Sequence, residues 1–265
     1  MPRRALRIGI CLKFKRSAKE PVFVLEHDVV RATPLKWAIS VAVTGFLLVA
    51  AHSAVAISTG VFKDQELAFT VTRNGQPIGS HVYTFNRDGT RVQVDIRTNI
   101  DFRLLSVSIY RFKHESHEVW VGDRLIRMVS NTNDNGDPVK LEVRADGAVL
   151  KVGNRKESVA VDADAIPASL WNRVVVERKR LLDTVNGTVL TTKVKDLGEE
   201  TLTVDGATLK ARRYRLSGDY KRDLWYDARD GKLVRVRFDA ADGSEVEYVL
   251  THSSKARQDV QNSAS

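Results

Sequence analysis

The stretch Lys232–Leu250, KLVRVRFDAADGSEVEYVL, is two alternating runs around a turn, and its register decides the fold class. Val234, Val236 and Phe238 share one face of the first run. Val246, Tyr248 and Leu250 share one face of the second. Directly opposed residues of an antiparallel pair must face the same side of the sheet. A two-residue turn at Asp242-Gly243 would oppose Phe238 to Glu247 and mix the faces. A three-residue loop, Ala241-Asp242-Gly243, instead opposes Phe238 to Val246, Val236 to Tyr248 and Arg237 to Glu247, with glycine where such loops favour it. The same construction at Arg229-Asp230-Gly231 predicts Tyr226 opposite Val234. At Arg87-Asp88-Gly89 it predicts Val82 opposite Val94.

Outward from this hairpin the same punctuation recurs. Asn74-Gly75, Asp88-Gly89, Asn135-Gly136, Asp146-Gly147, Asn186-Gly187, Asp205-Gly206, Asp230-Gly231 and Asp242-Gly243 separate short alternating runs from Glu66 to His252. Glycine supplies the positive φ that closes a hairpin, and Asn or Asp tolerates the position before it. The pattern predicts an all-β antiparallel meander of about ten to twelve strands. One segment departs from it. In Pro167–Thr184, PASLWNRVVVERKRLLDT, apolar residues at Leu170, Trp171, Val174, Val175, Leu181 and Leu182 follow a spacing nearer to helical, and Arg173, Arg178, Lys179 and Arg180 occupy the other face. The expectation is one amphipathic helix packed on the sheet.

Upstream, Trp37–Ala51 is a run of fifteen uncharged residues leading to Ala54-Val55-Ala56. It has the length of a signal-peptide core and ends in the small-x-small pattern of a cleavage site after Ala56. The expected organisation is a leader extension over residues 1–36, a signal peptide over 37–56, one β domain over 57–252 and a polar tail over 253–265. The alternative is an uncleaved anchor holding the domain at the inner membrane. Either way Arg31 and Lys36 keep the N-terminal side inside. The leader is long for its type, and initiation at Val29 or Val30 would make it ordinary, which N-terminal sequencing of the precursor tests. Arg3-Arg4 lies too far from the apolar run for a twin-arginine signal. No cysteine follows the run, so no lipoprotein anchor is expected. The domain belongs in the periplasm.

Of 42 basic and 33 acidic residues, nine and three precede residue 57, so the remainder carries 33 against 30, a net of about +3. The high isoelectric point is largely a leader effect and gives no nucleic-acid signature. The single cysteine, Cys11, also lies in the leader, so the domain must rely on its core rather than on disulfides.

Candidate chemistry is sparse. Asn131–Glu142, NTNDNGDPVKLE, has calcium-loop spacing through Asn131, Asn133, Asn135 and Glu142, but Pro138 and the alternating VKLEVRA favour a hairpin. His114 and His117 in HESHE suggest a metal, yet residues three apart on a strand point to opposite faces. No nucleophile elbow, phosphate loop or cofactor motif is present, which leaves a hydrolase using carboxylates or His114 and His117 as the alternative to a non-catalytic protein. The aromatics Tyr110, Trp120, Tyr214, Trp225 and Tyr226 lie on predicted strands. There they fill the core or line an apolar cleft for a lipid-like ligand.

The stretches LAFTVTRNGQPIGSHVYTF, KHESHEVWVGDRLIRM, ARRYRLSGDYKRDLWYDARDGKLVRVRF and DGSEVEYVLTH together resemble a family of exported proteobacterial proteins of unknown function. More distantly the chain resembles periplasmic envelope-integrity proteins built as a spiral β-roll. That resemblance implies a sheet curled around a helix, in a protein of envelope maintenance or binding whose partner is a lipid-like molecule or an envelope protein. It implies no catalytic residue and no cofactor.

Overall fold

The computed structural model describes residues 64–153 and 157–255. The leader, the apolar run at 37–56 and residues 256–265 lie outside them. Among the described residues no helix is long and apolar enough to cross a membrane.

Fifteen strands follow one another along the chain. The first eight are β1 (Asp64–Arg73), β2 (Gln76–Asp88), β3 (Arg91–Leu104), β4 (Val107–Val121), β5 (Arg124–Asp134), β6 (Asp137–Asp146), β7 (Val149–Gly153) and β8 (Ser158–Asp162). Two short ones, β9 (Ile166–Pro167) and β10 (Arg180–Leu182), precede β11 (Val189–Val204), β12 (Ala207–Gly218), β13 (Arg222–Asp227), β14 (Leu233–Asp239) and β15 (Glu245–Lys255). All eight Asx-Gly pairs sit at the turns that join consecutive strands, Asp88 and Asp146 being the last residues of β2 and β6, as their chemistry predicts. The strands outnumber the expected ten to twelve because β7 to β10 are short pieces without a full alternating pattern. β15 also continues through Ser253 to Lys255, beyond the predicted end at His252.

The fifteen form one sheet in the order β8-β7-β6-β5-β4-β3-β2-β1-β15-β14-β13-β12-β11-β10-β9. Only the β9–β10 pair is parallel. This order requires curling. The two edge strands, β8 and β9, are consecutive in sequence, and Asp162 and Ile166 cannot stand more than ~14 Å apart. In a flat sheet of fifteen strands the edges would be ~65 Å apart. The sheet therefore rolls until its edges meet.

The inner face is read directly from the ladders. Phe85, Val94, Glu118, Met128, Val143 and Val152 stand opposite one another across six strands, and all are buried. The register of the last hairpin is as predicted, with Phe238 opposite Val246, Val236 opposite Tyr248 and Arg237 opposite Glu247. Two other registers differ. Tyr226 opposes Leu233 rather than Val234, because a bulge falls between Trp225 and Tyr226. Val82 opposes Arg97, and Phe85 is the partner of Val94. The inner face takes His81, Tyr83 and Phe85, whose rings carry more buriable area than Val82 and its neighbours.

The predicted helix is absent. Pro167–Thr184 holds only a five-residue 3-10 turn, Arg173–Glu177, between β9 and β10. Its six apolar residues are all buried, so the sidedness holds while the backbone differs. Two features work against a longer helix, the Val174-Val175-Val176 run and a left-handed Leu170 at φ 68°, while Asn172 caps only the short turn, its side chain accepting from the Val174 amide. An extended segment inside a roll needs outside partners for its carbonyls. The sheet supplies them. Tyr83, Tyr220 and Tyr226 donate their hydroxyls to the carbonyls of Ser169, Ala168 and Leu170 at 2.5, 3.3 and 2.9 Å, and the Ser130 hydroxyl donates to Thr184 at 2.6 Å. This segment is the plug of the roll.

Candidate functional site

The inner face carries one polar row. His81 on β2 opposes Thr98 on β3, which opposes His114 on β4, which opposes Thr132 on β5. Each imidazole uses Nδ1 on the threonine beside it, His81 with Thr98 Oγ1 at 2.7 Å and His114 with Thr132 Oγ1 at 2.8 Å. Burial pushes His81 down to about 3, with His114 and Arg222 adding to the shift, and pushes His114 down to about 4 against the opposing pull of Asp183. Both rings are thus neutral at ordinary pH. Each threonine satisfies one ring nitrogen, and His81 Nε2 stays buried without a partner among the described residues.

Above this row the roll is not filled. A cavity of about 80 Å³ lies between the sheet and the plug, partly open to solvent. His81, Tyr83, Ile96, Thr98, Phe112 and His114 form its floor on β2 to β4. Ala168–Leu170 and Asp183–Val185 of the plug form one wall, and Tyr220, Arg222, Val236 and Tyr248 form the other. Arg222 is held by rings, its guanidinium 4.3 Å from the Tyr220 centroid and 3.9 Å from that of Phe238. The Tyr248 ring packs 5.2 Å from His81, and burial raises its hydroxyl to about 12. Asp183 is committed to its own turn, its Oδ1 accepting from the amides of Val185 at 2.7 Å and Asn186 at 3.2 Å.

Beyond the cavity, a fully buried Glu118 anchors the plug to the sheet. Its Oε2 accepts from the indole Nε1 of Trp120 at 2.8 Å and of Trp171 at 3.0 Å. Burial raises its pKa, and these donors, with Ser169, only partly offset that. The two indoles meet edge to face at 5.6 Å.

None of the five predicted cleft aromatics lines the cavity. Trp120 packs on Trp171, Tyr214 packs on Tyr226, and the Tyr226 hydroxyl is spent on Leu170. Tyr110 donates to Asp134 at 2.8 Å. Trp225 faces the outer side, buried under the guanidiniums of Arg213, Arg235 and Arg237 with its Nε1 on Glu200. Beside it, burial pushes Asp223 up, but Arg215 and Arg213 overcome this and hold its carboxyl well below the usual carboxylate range. The rings around the cavity are instead Tyr83, Phe112, Tyr220 and Tyr248.

His114 and His117 are separated as strand geometry predicts. His114 is buried inside, while His117 is outside and bound to Asp95 at 2.8 Å, so they cannot act on one substrate or ion. Asn131–Glu142 is a hairpin, with Asn131 opposite Lys140 and Asn133 opposite Pro138. Asn135 starts its turn at φ 55°, and Glu142 is paired with Arg127 and Arg144. Among the described residues no three His, Cys, Asp or Glu gather as metal ligands. Sequence reading missed His81, Arg222 and Tyr248 as site residues. The available signal was His81 two residues before Tyr83, at an inward position that becomes visible once β2 is paired correctly.

Among solved structures the chain is similar to a beta-barrel-like protein of domain of unknown function DUF1849 from Brucella abortus. The two are 12% identical with a TM-score of 0.55, over 72% of this chain and 97% of that one, which supports the fold alone. LprF from Mycobacterium bovis aligns over 75% of this chain and 89% of its own at 14% identity, but with a TM-score of 0.26. No curated protein sequence matches the chain. Residues 69–251, about two thirds of the chain and nearly the whole roll, match the model of a domain of unknown function, and the chain belongs to that family, DUF6134.

Proposed function

We propose that this chain is an exported, non-catalytic binding protein of the bacterial cell envelope that works in the periplasm through the cavity of its β-roll. Support for export comes from the apolar run and the Ala54-Val55-Ala56 pattern. Support for binding comes from one observation: the roll leaves a cavity walled by rings and a few convergent polar groups, among them a buried imidazole nitrogen without a partner. Catalysis is disfavoured by the same groups. Histidines pushed down to about 3 and about 4 are weak proton acceptors near neutrality, where a general base works best with a pKa close to ambient pH.

Size narrows the ligand. The cavity holds on the order of six water molecules. It takes a compact group or one end of a lipid-like molecule, not a whole acyl chain. Native mass spectrometry of the protein recovered from the periplasm of cells expressing the full chain tests the reading. A stoichiometric adduct lost on His81→Phe supports it. A clean apo mass, with no thermal stabilisation by periplasmic small-molecule extract or envelope lipid, refutes it.

A further inference from the structure

Arg222 differs from the other arginines around it. Arg213, Arg215, Arg229, Arg235 and Arg237 each hold a carboxylate. Arg222 has no ion-pair partner among the described residues and is fixed between Tyr220 and Phe238 with its Nε buried and unpartnered. A guanidinium positioned by two rings keeps its planar fork available for a bidentate acceptor. Two further polar groups converge with it. The Tyr248 hydroxyl makes no hydrogen bond among the described residues, and His81 Nε2 is buried and unpartnered among them, with its ring 5.2 Å from that of Tyr248. The charge of Arg222 reaches both, since it helps to lower the pKa of His81 and acts to lower that of Tyr248. The apolar part of the lining comes from Ile96 and Phe112, on either side of the His81–Thr98–His114 row, and from Val185 of the plug.

We propose that the cavity recognises a compact monocarboxylate with an apolar body, its carboxylate on Arg222 and Tyr248 with His81 beside it, and its body against Ile96, Phe112 and Val185. Asp183, the one acid of the lining, stands on the His114 side and disfavours a dianion, so a singly charged carboxylate suits the site better than phosphate. This inference rests on the cavity being a binding site. The same chemistry has two sources, a short free acid or the acidic end of a fatty acid.

The test uses protein recovered from cells expressing the full chain, with affinities for hexanoate, hexanamide, palmitate and phosphate measured by calorimetry and by thermal shift. Hexanoate should bind at least tenfold tighter than hexanamide and than phosphate. Arg222→Gln should abolish that preference while leaving the weak binding of the amide in place, and Tyr248→Phe should reduce it. Palmitate binding tighter than hexanoate assigns the site to a fatty acid; the reverse order assigns it to a free short acid. If Arg222→Gln does not fold, the acid-to-amide ratio of the unaltered protein and of Tyr248→Phe decides. Equal binding of acid and amide overturns the carboxylate while leaving a binding cavity standing. Equal binding of phosphate and hexanoate overturns the apolar body. No binding of any probe overturns both this inference and the cavity's role.

Discussion

Replacing Trp171 by Phe removes one hydrogen-bond donor and little else from the centre of the roll. The indole is fully buried, its Nε1 lies 3.0 Å from Glu118 Oε2, and its ring meets Trp120 and Phe85 edge to face at 5.6 Å each. Phenylalanine keeps most of the packing but leaves the carboxylate with one indole donor. A hydrogen bond to a charged group is worth about 1.5–3 kcal/mol, and the lost ring volume adds about 1 kcal/mol, so with Glu118 ionised Trp171→Phe should cost about 2.5–4 kcal/mol in urea unfolding followed by far-ultraviolet circular dichroism. In a Glu118→Gln background the acceptor is neutral and the bond is worth about 1 kcal/mol, so the two changes should couple by about 0.5–2 kcal/mol. The pH dependence has a definite sign. Burial raises the pKa of Glu118 in the folded state, so the folded form prefers the proton and loses stability as pH rises from the ordinary glutamate range through the raised value. Removing a donor raises that pKa further, so the Trp171→Phe penalty should be larger at pH 8 than at pH 4. A penalty unchanged across that range and unaltered by Glu118→Gln, with coupling below about 0.5 kcal/mol, would refute the assignment of Glu118 as the anchor of the plug.

Acid should unfold the protein through its buried imidazoles. His81 and His114 have folded values of about 3 and about 4 below an ordinary 6.5, so stability is full above pH 6.5 and is lost as pH falls from there toward 4 and then 3. His114→Gln should move the acid midpoint measured by circular dichroism down by about half a pH unit, and an unmoved midpoint would contradict the burial argument. The β3–β4 turn puts Leu105 and Ser106 at φ 48° and 70°, where side chains other than glycine and asparagine are strained. Leu105→Asn with Ser106→Gly should therefore stabilise by about 1–2 kcal/mol, and a lower unfolding midpoint would show the tip tuned for contact rather than strained. A Cβ added at Gly79 would lie 2.1 Å from the Asn99 carbonyl oxygen, whereas one at Gly89 would meet open space at φ 57°. Gly79→Ala should cost about 3 kcal/mol or prevent folding, while Gly89→Ala costs about 1 kcal/mol, and equal costs would contradict the steric account.

Local chemistry was legible wherever two neighbouring strands and their turn carry the whole signal. Asp242-Gly243 with Phe238 and Val246 fixes a register without reference to anything distant. At β2 the local signal is divided, because Val82 and Tyr83 are both apolar and only the whole His81-Tyr83-Phe85 face against β3 chooses between them. The plug was misread for a different reason. Apolar spacing reports which residues are buried, and Leu170, Trp171, Val174, Val175, Leu181 and Leu182 are buried, but their backbone is set by tyrosine hydroxyls on β2, on β13 and just before it. The cavity was harder still. His114 could be placed on an inward face with Ser116 and Glu118 from its strand alone, but Thr98, Arg222 and Tyr248, which line the cavity with it, come from three other elements, and no spacing along the chain marks them as a set.

The first and last described strands, β1 and β15, are side by side in the middle of the sheet, with Asp64 opposite Lys255. The two ends of the described roll thus lie side by side in a ring-like order of hairpins. A short peptide tie from Lys255 back to Asp64, with a new opening at the Gly122-Asp123 turn, would break no ladder, and such a circular permutant should fold to the same roll. Under the proposed export from the N-terminus, the same adjacency has a topological meaning. The ladder that joins β1 to β15 cannot form until the final strand is available, so the seam of the roll is sewn last, and an exported chain would cross the translocation channel with its halves unjoined.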